Sequence, residues 1–360
     1  MLRSRFERLF STTLQTGAVI DLLNCTFREN FAVSSGGGFH ANVVSFAARK
    51  CSFVSNIAVA AGGGGALSLR LGANVLMGGL AVVEDVMCDS NEAATGGCLS
   101  WNLEEDGEGM MFRGALTANK ARSFGGAMSV LYTVPRLTPM FSVVDASFHT
   151  NVVTPKSSLD AGHGGAIFVY PSVFRWFSKE YSTTPFYDDS NYYLNPISAY
   201  HVHIVGCTFD GNEAKSGSGG GVAISRMGSV DLDNSIIHRC EAMDGGGVAA
   251  LDSALLRISG GTLLSCSASS SGGGVFSGTE AIVTLADSVL DNCTAWAQGG
   301  GVATTGTSVL AMVHTTVRNS RAAFRPGAAA AFIGGGTAAA ASATANGGGC
   351  YPSGEGLFVG

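Results

Sequence analysis

The chain has 360 residues, 51 of them glycine, with 46% hydrophobic and only 13% charged residues and a formal net charge of −6. No basic block is present, which argues against a nucleic-acid partner, and no apolar run reaches the roughly 18 residues of a membrane-spanning helix. Nine cysteines without CxxC pairs indicate neither a small disulfide scaffold nor a zinc site, and no cofactor is implied.

The opening MLRSRFERLFSTT has no apolar core of a secretory signal. Leu2, Phe6, Leu9 and Phe10 fall instead on one helical face, so an amphipathic helix is predicted over 1–12, within a capping segment 1–16. From residue 17 onward one pattern recurs. A hydrophobic residue followed three positions later by Asn appears as Phe27…Asn30, Phe53…Asn56, Cys88…Asn91, Leu116…Asn119, Phe148…Asn151 and Phe209…Asn212. Four further units change the last residue: Ile237…Cys240, Leu263…Cys266, Leu290…Cys293 and Val317…Ser320.

Three residues before each hydrophobic anchor stand Asn24, Lys50, Asp85, Arg113, Asp145, Gly206, Asn234, Gly260, Asp287 and His314. All are polar or glycine, as a tight corner requires. Ahead of that corner the apolar residues alternate, as in Val202-His203-Ile204, Val230-Asp231-Leu232 and Leu256-Arg257-Ile258. That is the period of a strand with one buried face. Glycine runs follow most units. A unit of about 27 residues, built of short strands and sharp corners, cannot bury its apolar face alone and must stack on its neighbours. The predicted fold is therefore all-β: a single right-handed parallel β-helix of about ten coils over 17–325. The hand follows from the crossover rule. The Ala/Gly-rich stretch 326–360 reads as a degenerate end coil or tail.

The repeats resemble those of the polymorphic outer membrane protein family, through GGAL at 64–67, GGAI at 164–167 and FxxN at 27, 53, 148 and 209. That resemblance covers about 17–320. It implies a pectin lyase-like β-helix with surface exposure and an adhesive role.

Within such a rod Asn30, Asn56, Asn91, Asn119, Asn151 and Asn212 occupy one position, where stacked amides donate and accept along the axis. Cys240, Cys266 and Cys293 continue the column as packed thiols. Cys25, Cys51 and Cys207 share a second small-residue position with Ala146, Ser235 and Ser288. Two Asn-Cys-Thr sequons stand at Asn24 and Asn292. No P-loop, HExxH, nucleophile elbow or dinucleotide fingerprint occurs.

The regular spacing breaks between Asp145 and Gly206, where residues 168–200 form an aromatic-rich insertion. Long insertions in solenoids emerge on one side and commonly carry function. Trp176, Tyr187, Asp188, Asp189, Tyr192 and Tyr193, with His201 and His203 just beyond, form the predicted contact set for a carbohydrate or a protein surface. Alternation turns His203 outward, and the equivalent positions in the next two coils are Asp231 and Arg257. Two functional readings follow: a non-catalytic adhesive or binding rod, or a polysaccharide lyase or hydrolase using His203, Asp231 and Arg257 on that outward face.

Overall fold

The computed structural model describes residues 19–324, apart from 44, 60–62, 72–78, 104–106, 133–140, 156–161 and 172–201. It also describes the backbone of short strands within 5–14 and 330–353. The strands stack into four parallel sheets, here I to IV in the order the chain visits them, with 11, 12, 10 and 12 members. Ten coils contribute to all four. In the sixth coil, for example, the strands are Val202–Val205, Thr208–Asp210, Glu213–Ser218 and Val222–Ile224. This is the right-handed parallel β-helix that the repeat spacing predicts.

Corners close each coil. The ten residues before sheet II, from Asn24 to His314, all lie in the left-handed region, with φ between 47° at Asn234 and 63° at Gly206. The ten residues before the Asn column, from Glu29 to Asn319, do the same. Most of these are not glycine: the Asn, Asp and Ser among them tolerate that conformation through their short polar side chains, and Glu29, Lys50, Arg113, Ala118, Arg239 and His314 adopt it as well. The third corner, before sheet IV, is different. A Cβ on Gly219 (φ 71°) would stand 2.3 Å from the Val222 carbonyl oxygen, and one on Gly220 would stand 2.3 Å from the Gly246 oxygen of the next coil. The first glycine of the pair thus permits the turn and the second lets the coils approach.

Inside, the column from Asn30 to Asn212 is continuous. Each of the first five Asn side chains donates from Nδ2 to the Oδ1 of the next, over distances of 2.8 to 3.0 Å. Their backbone amides donate to the same oxygens at 2.9 to 3.1 Å. From Asn56 on, the second Nδ2 proton reaches back to the anchor carbonyl of the preceding coil, as in Asn119 to Cys88 at 3.2 Å. Asn56 to Asn212 are fully buried and fully partnered, which removes the penalty of enclosing an amide. After Asn212 the column changes chemistry: its Nδ2 meets the Cys240 sulfur at 3.8 Å, and the thiols of Cys240, Cys266 and Cys293 donate to carbonyls. Burial pushes the Cys240 thiol up to about 12, so it stays protonated.

Anchor rings stack where they are consecutive: Phe27 on Phe53 at 4.9 Å and Phe148 on Phe209 at 4.8 Å, each pair within 6° of parallel. Coil three has Cys88 at the anchor instead, joined by a disulfide to Cys98. Cys98 occupies the position held by Gly221, Gly247 and Gly274 in later coils, where a Cβ on Gly247 would stand 2.9 Å from the Leu263 side chain. Bulky anchors thus face glycine or alanine (Ala66, Ala127 and Ala166 in coils two, four and five), whereas the small Cys88 anchor leaves room for a second cysteine. Nothing in the cysteine spacing announces this pair.

Two expectations are corrected. Arg5–Glu7 form a strand paired in parallel with Thr26–Arg28, so no amphipathic helix runs through Phe6. A strand meets the open amides and carbonyls of the first coil's edge, which a helix with internally satisfied backbone does not. The insertion, expected from 168, begins later: Ile167–Pro171 is a sheet IV strand paired with Met128–Tyr132, with Ile167 and Val169 in the core. At the far end Ala330–Ile333, Thr337–Ala341, Thr344–Asn346 and Tyr351–Ser353 continue the parallel pairing.

Replacing Asn119 with Ala should lower unfolding free energy by about 2–4 kcal/mol, since it strands the Asn91 amide groups and the Cys88 carbonyl inside the rod. Urea titration with unchanged m-value checks this, and a loss below about 0.5 kcal/mol would show that the column is not fully engaged.

Candidate functional site

The fourth corner, between sheets IV and I, holds the longest connection. Elsewhere along the rod it is short, as at 225–228, 251–254 and 278–281. In the first half it lengthens to 72–79, 133–140 and finally 172–201. Both ends of the longest segment are fixed: Pro171 closes a sheet IV strand and Val202 opens a sheet I strand. Trp176, Tyr187, Asp188, Asp189, Tyr192, Tyr193 and His201 lie outside the described residues.

Sheet I begins at that corner, and His203, Asp231 and Arg257 are direct register partners on it. The pleat turns all three away from the core, because Val230, Leu232, Leu256 and Ile258 on either side are buried. The expectation of an open outward column nevertheless fails at Asp231, which is only 2% exposed. Arg257 donates to both of its oxygens, Nε to Oδ1 at 2.7 Å and Nη2 to Oδ2. A fork-on-carboxylate pair of this kind is directional and strong. Its consequence is chemical. Asp231 has no open carboxylate for a substrate proton, and the Arg257 fork is taken up rather than presented to a substrate carboxylate. His203 stands half-buried beside them.

The same construction recurs. On sheet II, His149, Asp210 and His238 are register partners, with the imidazole Nδ1 atoms 3.7 and 3.5 Å from the Asp210 carboxylate. Arg239, in the adjacent corner, donates to both Asp210 oxygens at 2.9 and 2.6 Å. That hydrogen bonding holds the Asp210 carboxyl below the usual carboxylate range, with smaller help from the charges of His238 and His149. Arg113 spans Glu84 and Asp85, Arg49 reaches Asp21 at 3.2 Å, and Arg318 meets Asp291 at 3.0 Å. Every one of these pairs joins neighbouring coils. The sequence signal was present, as acid and base at matching repeat positions, but only His203, Asp231 and Arg257 were singled out from it.

His163 of the AGHGGA corner is half-buried against Phe124, their rings 6.0 Å apart and nearly parallel, and its Nδ1 accepts from the Ser218 amide at 3.1 Å. Burial lowers its pKa, so it is a neutral packing residue. Among the described residues no group of three or more His, Cys, Asp or Glu is arranged to hold a metal ion. Nor, among them, is any helix long and apolar enough to cross a membrane.

A family model described as a right handed beta helix region matches residues 188–346. Comparison with curated proteins and with solved structures gives no match. The match and the coil geometry agree on a parallel β-helix.

Two outcomes test the electrostatics. Arg257→Leu should cost about 2–4 kcal/mol in urea unfolding, reduced from the fully buried case because the arginine side chain is 42% exposed. Asp231→Asn added to it should recover part of the loss; no recovery would mean that the stranded carboxylate is not the cause. Asp210 has a depressed pKa, so its pairing contributes to stability above the ordinary Asp value and is lost as pH falls through the lowered one. In Arg239→Gln the carboxyl 13C titration of Asp210 should move up toward the ordinary Asp range, and an unchanged midpoint would contradict the assignment.

Proposed function

We propose that this protein is a non-catalytic β-helical binding module, exposed outside the cell, that engages a carbohydrate or protein surface through the fourth corner. The observation that carries the reading is the Asp231–Arg257 pair. The one outward acid–base column singled out beside the insertion is closed on itself, as the structural pairs on the other faces are. The longest connection, 172–201, at this corner supports recognition there, since variable loops on a rigid scaffold are where binding residues concentrate. The likeness of the FxxN and GGA repeats to polymorphic outer membrane proteins supports surface exposure.

On this reading Trp176, Tyr187, Asp188, Asp189, Tyr192, Tyr193, His201 and His203 supply the contacts. Aromatic anchors dominate such contacts, and truncating one removes more than about 1 kcal/mol when it is central. Trp176→Ala and Tyr193→Ala should each weaken binding to an immobilised glycan or cell-surface preparation about tenfold or more, with unchanged circular dichroism. Incubation with uronic-acid polymers should give no new reducing ends and no unsaturated products. Cleavage that disappears in His203→Ala would overturn the proposal in favour of a carbohydrate-active enzyme.

A further inference from the structure

On the other side of the coil, after sheet III, two aromatic residues stand in the open. Trp296 is 65% exposed and Phe324 73% exposed. Among the described residues Trp101, Phe27, Phe53, Phe148 and Phe209 are fully buried, and Phe31 is 41% exposed, well below Trp296 and Phe324. Exposed rings of this size do not serve the core. Nor are they on slack loops. The Trp296 amide donates to the Ala268 carbonyl at 3.0 Å, and the Phe324 amide donates to the Trp296 carbonyl at 2.8 Å, so successive coils hold both residues.

Their surroundings are small and polar. The coil before Trp296 has Ser269 and Ser270 at the equivalent positions, and Ala297 and Ala323 adjoin the two aromatics. Exposed Arg321 and half-buried Gln298 and Thr294 add hydrogen-bonding groups within the same two coils. We propose that Trp296 and Phe324 form a stacking platform for a neutral oligosaccharide. The face of a pyranose ring offers C–H groups to the negative face of an aromatic ring, while hydroxyls on its rim meet polar neighbours. Their backbones lie on successive coils, about 4.8 Å apart along the axis, with Ala323 opposite Trp296 and Phe324 one position further on, so the patch suits an extended sugar chain running along the rod.

The size of the patch decides against a second copy of the chain. A stable protein interface needs about 800 Å² per partner. Two aromatic side chains of 150–250 Å² each, roughly two-thirds exposed, provide on the order of 300 Å². A saccharide of a few units fits that area. The platform extends the carbohydrate form of the binding reading to a second site, and its geometry does not involve residues 172–201.

The test uses the full-length chain with cellohexaose, xylohexaose and chitohexaose as probes. Trp101 is buried, so Trp296 and Trp176 are the other sources of tryptophan emission. At least one probe should shift the emission saturably, and Trp296→Ala should weaken that binding tenfold or more. Phe324→Ala should weaken it severalfold, Trp296→Tyr should restore most of it, and Trp176→Ala should leave it unchanged. Binding that survives Trp296→Ala but is lost in Trp176→Ala overturns the platform and leaves the insertion as the carbohydrate site. No saturable binding of any of the three probes overturns the platform while leaving a protein partner at the insertion standing. Self-association in sedimentation that Trp296→Ala abolishes would assign the patch to a second copy instead.

Discussion

The hydrogen-bonded column of buried asparagine amides is the interaction on which the rest of the rod depends. An enclosed amide is tolerable only when its donors and acceptor are satisfied, and here they are satisfied by the same residue one coil away. A coil that gained or lost a residue between the first corner and the column would break two contacts above and two below. The spacing obeys this constraint: Asn24 to Asn30, Asp145 to Asn151, Gly206 to Asn212 and Asp287 to Cys293 are all the same distance in sequence. Length variation is therefore expelled to places remote from the column. The largest share falls at the fourth corner, where 172–201 is inserted without disturbing the pairing of Phe141–Val144 with Val202–Val205.

The same logic explains how the column ends. A thiol is a weak donor and acceptor, so Cys240, Cys266 and Cys293 bridge coils less firmly than an amide, donating to the anchor carbonyls of the preceding coil and to carbonyls of their own. The coils they occupy are the most regular in length, with short fourth corners. Outside the core, ion pairs between coils add register information on the surface. Asp231 with Arg257 and Asp210 with Arg239 each join one coil to the next, in parallel with the amide column.

The sequence made the repeat, the sheet alternation, the corner residues and the asparagine column legible because each recurs at a fixed offset. Recurrence averages over the accidents of single positions. What was not legible is what happens once. The Cys88–Cys98 bond depends on a small anchor facing a position that alanine or glycine holds in the other coils, which spacing cannot reveal. The N-terminal strand was misread because Leu2, Phe6, Leu9 and Phe10 suit a helix locally, whereas the open edge of the first coil asks for a strand. At the candidate site, alternation correctly turned Asp231 outward. It could not show that the Arg257 side chain one coil on would close over the carboxylate. Trp296 drew no notice because exposure is a property of its neighbours, Ser269 and Ala323, and not of the tryptophan.

Side-chain amide exchange, followed by NMR in deuterated water, tests the buried column most directly. The Nδ2 protons of Asn56, Asn91, Asn119 and Asn151 are enclosed and doubly bonded, so their signals should persist for hours at neutral pH. Those of exposed Asn24 should vanish within minutes. If the column asparagines exchange as fast as Asn24, the amides are not stacked, and register must be set by something other than the column.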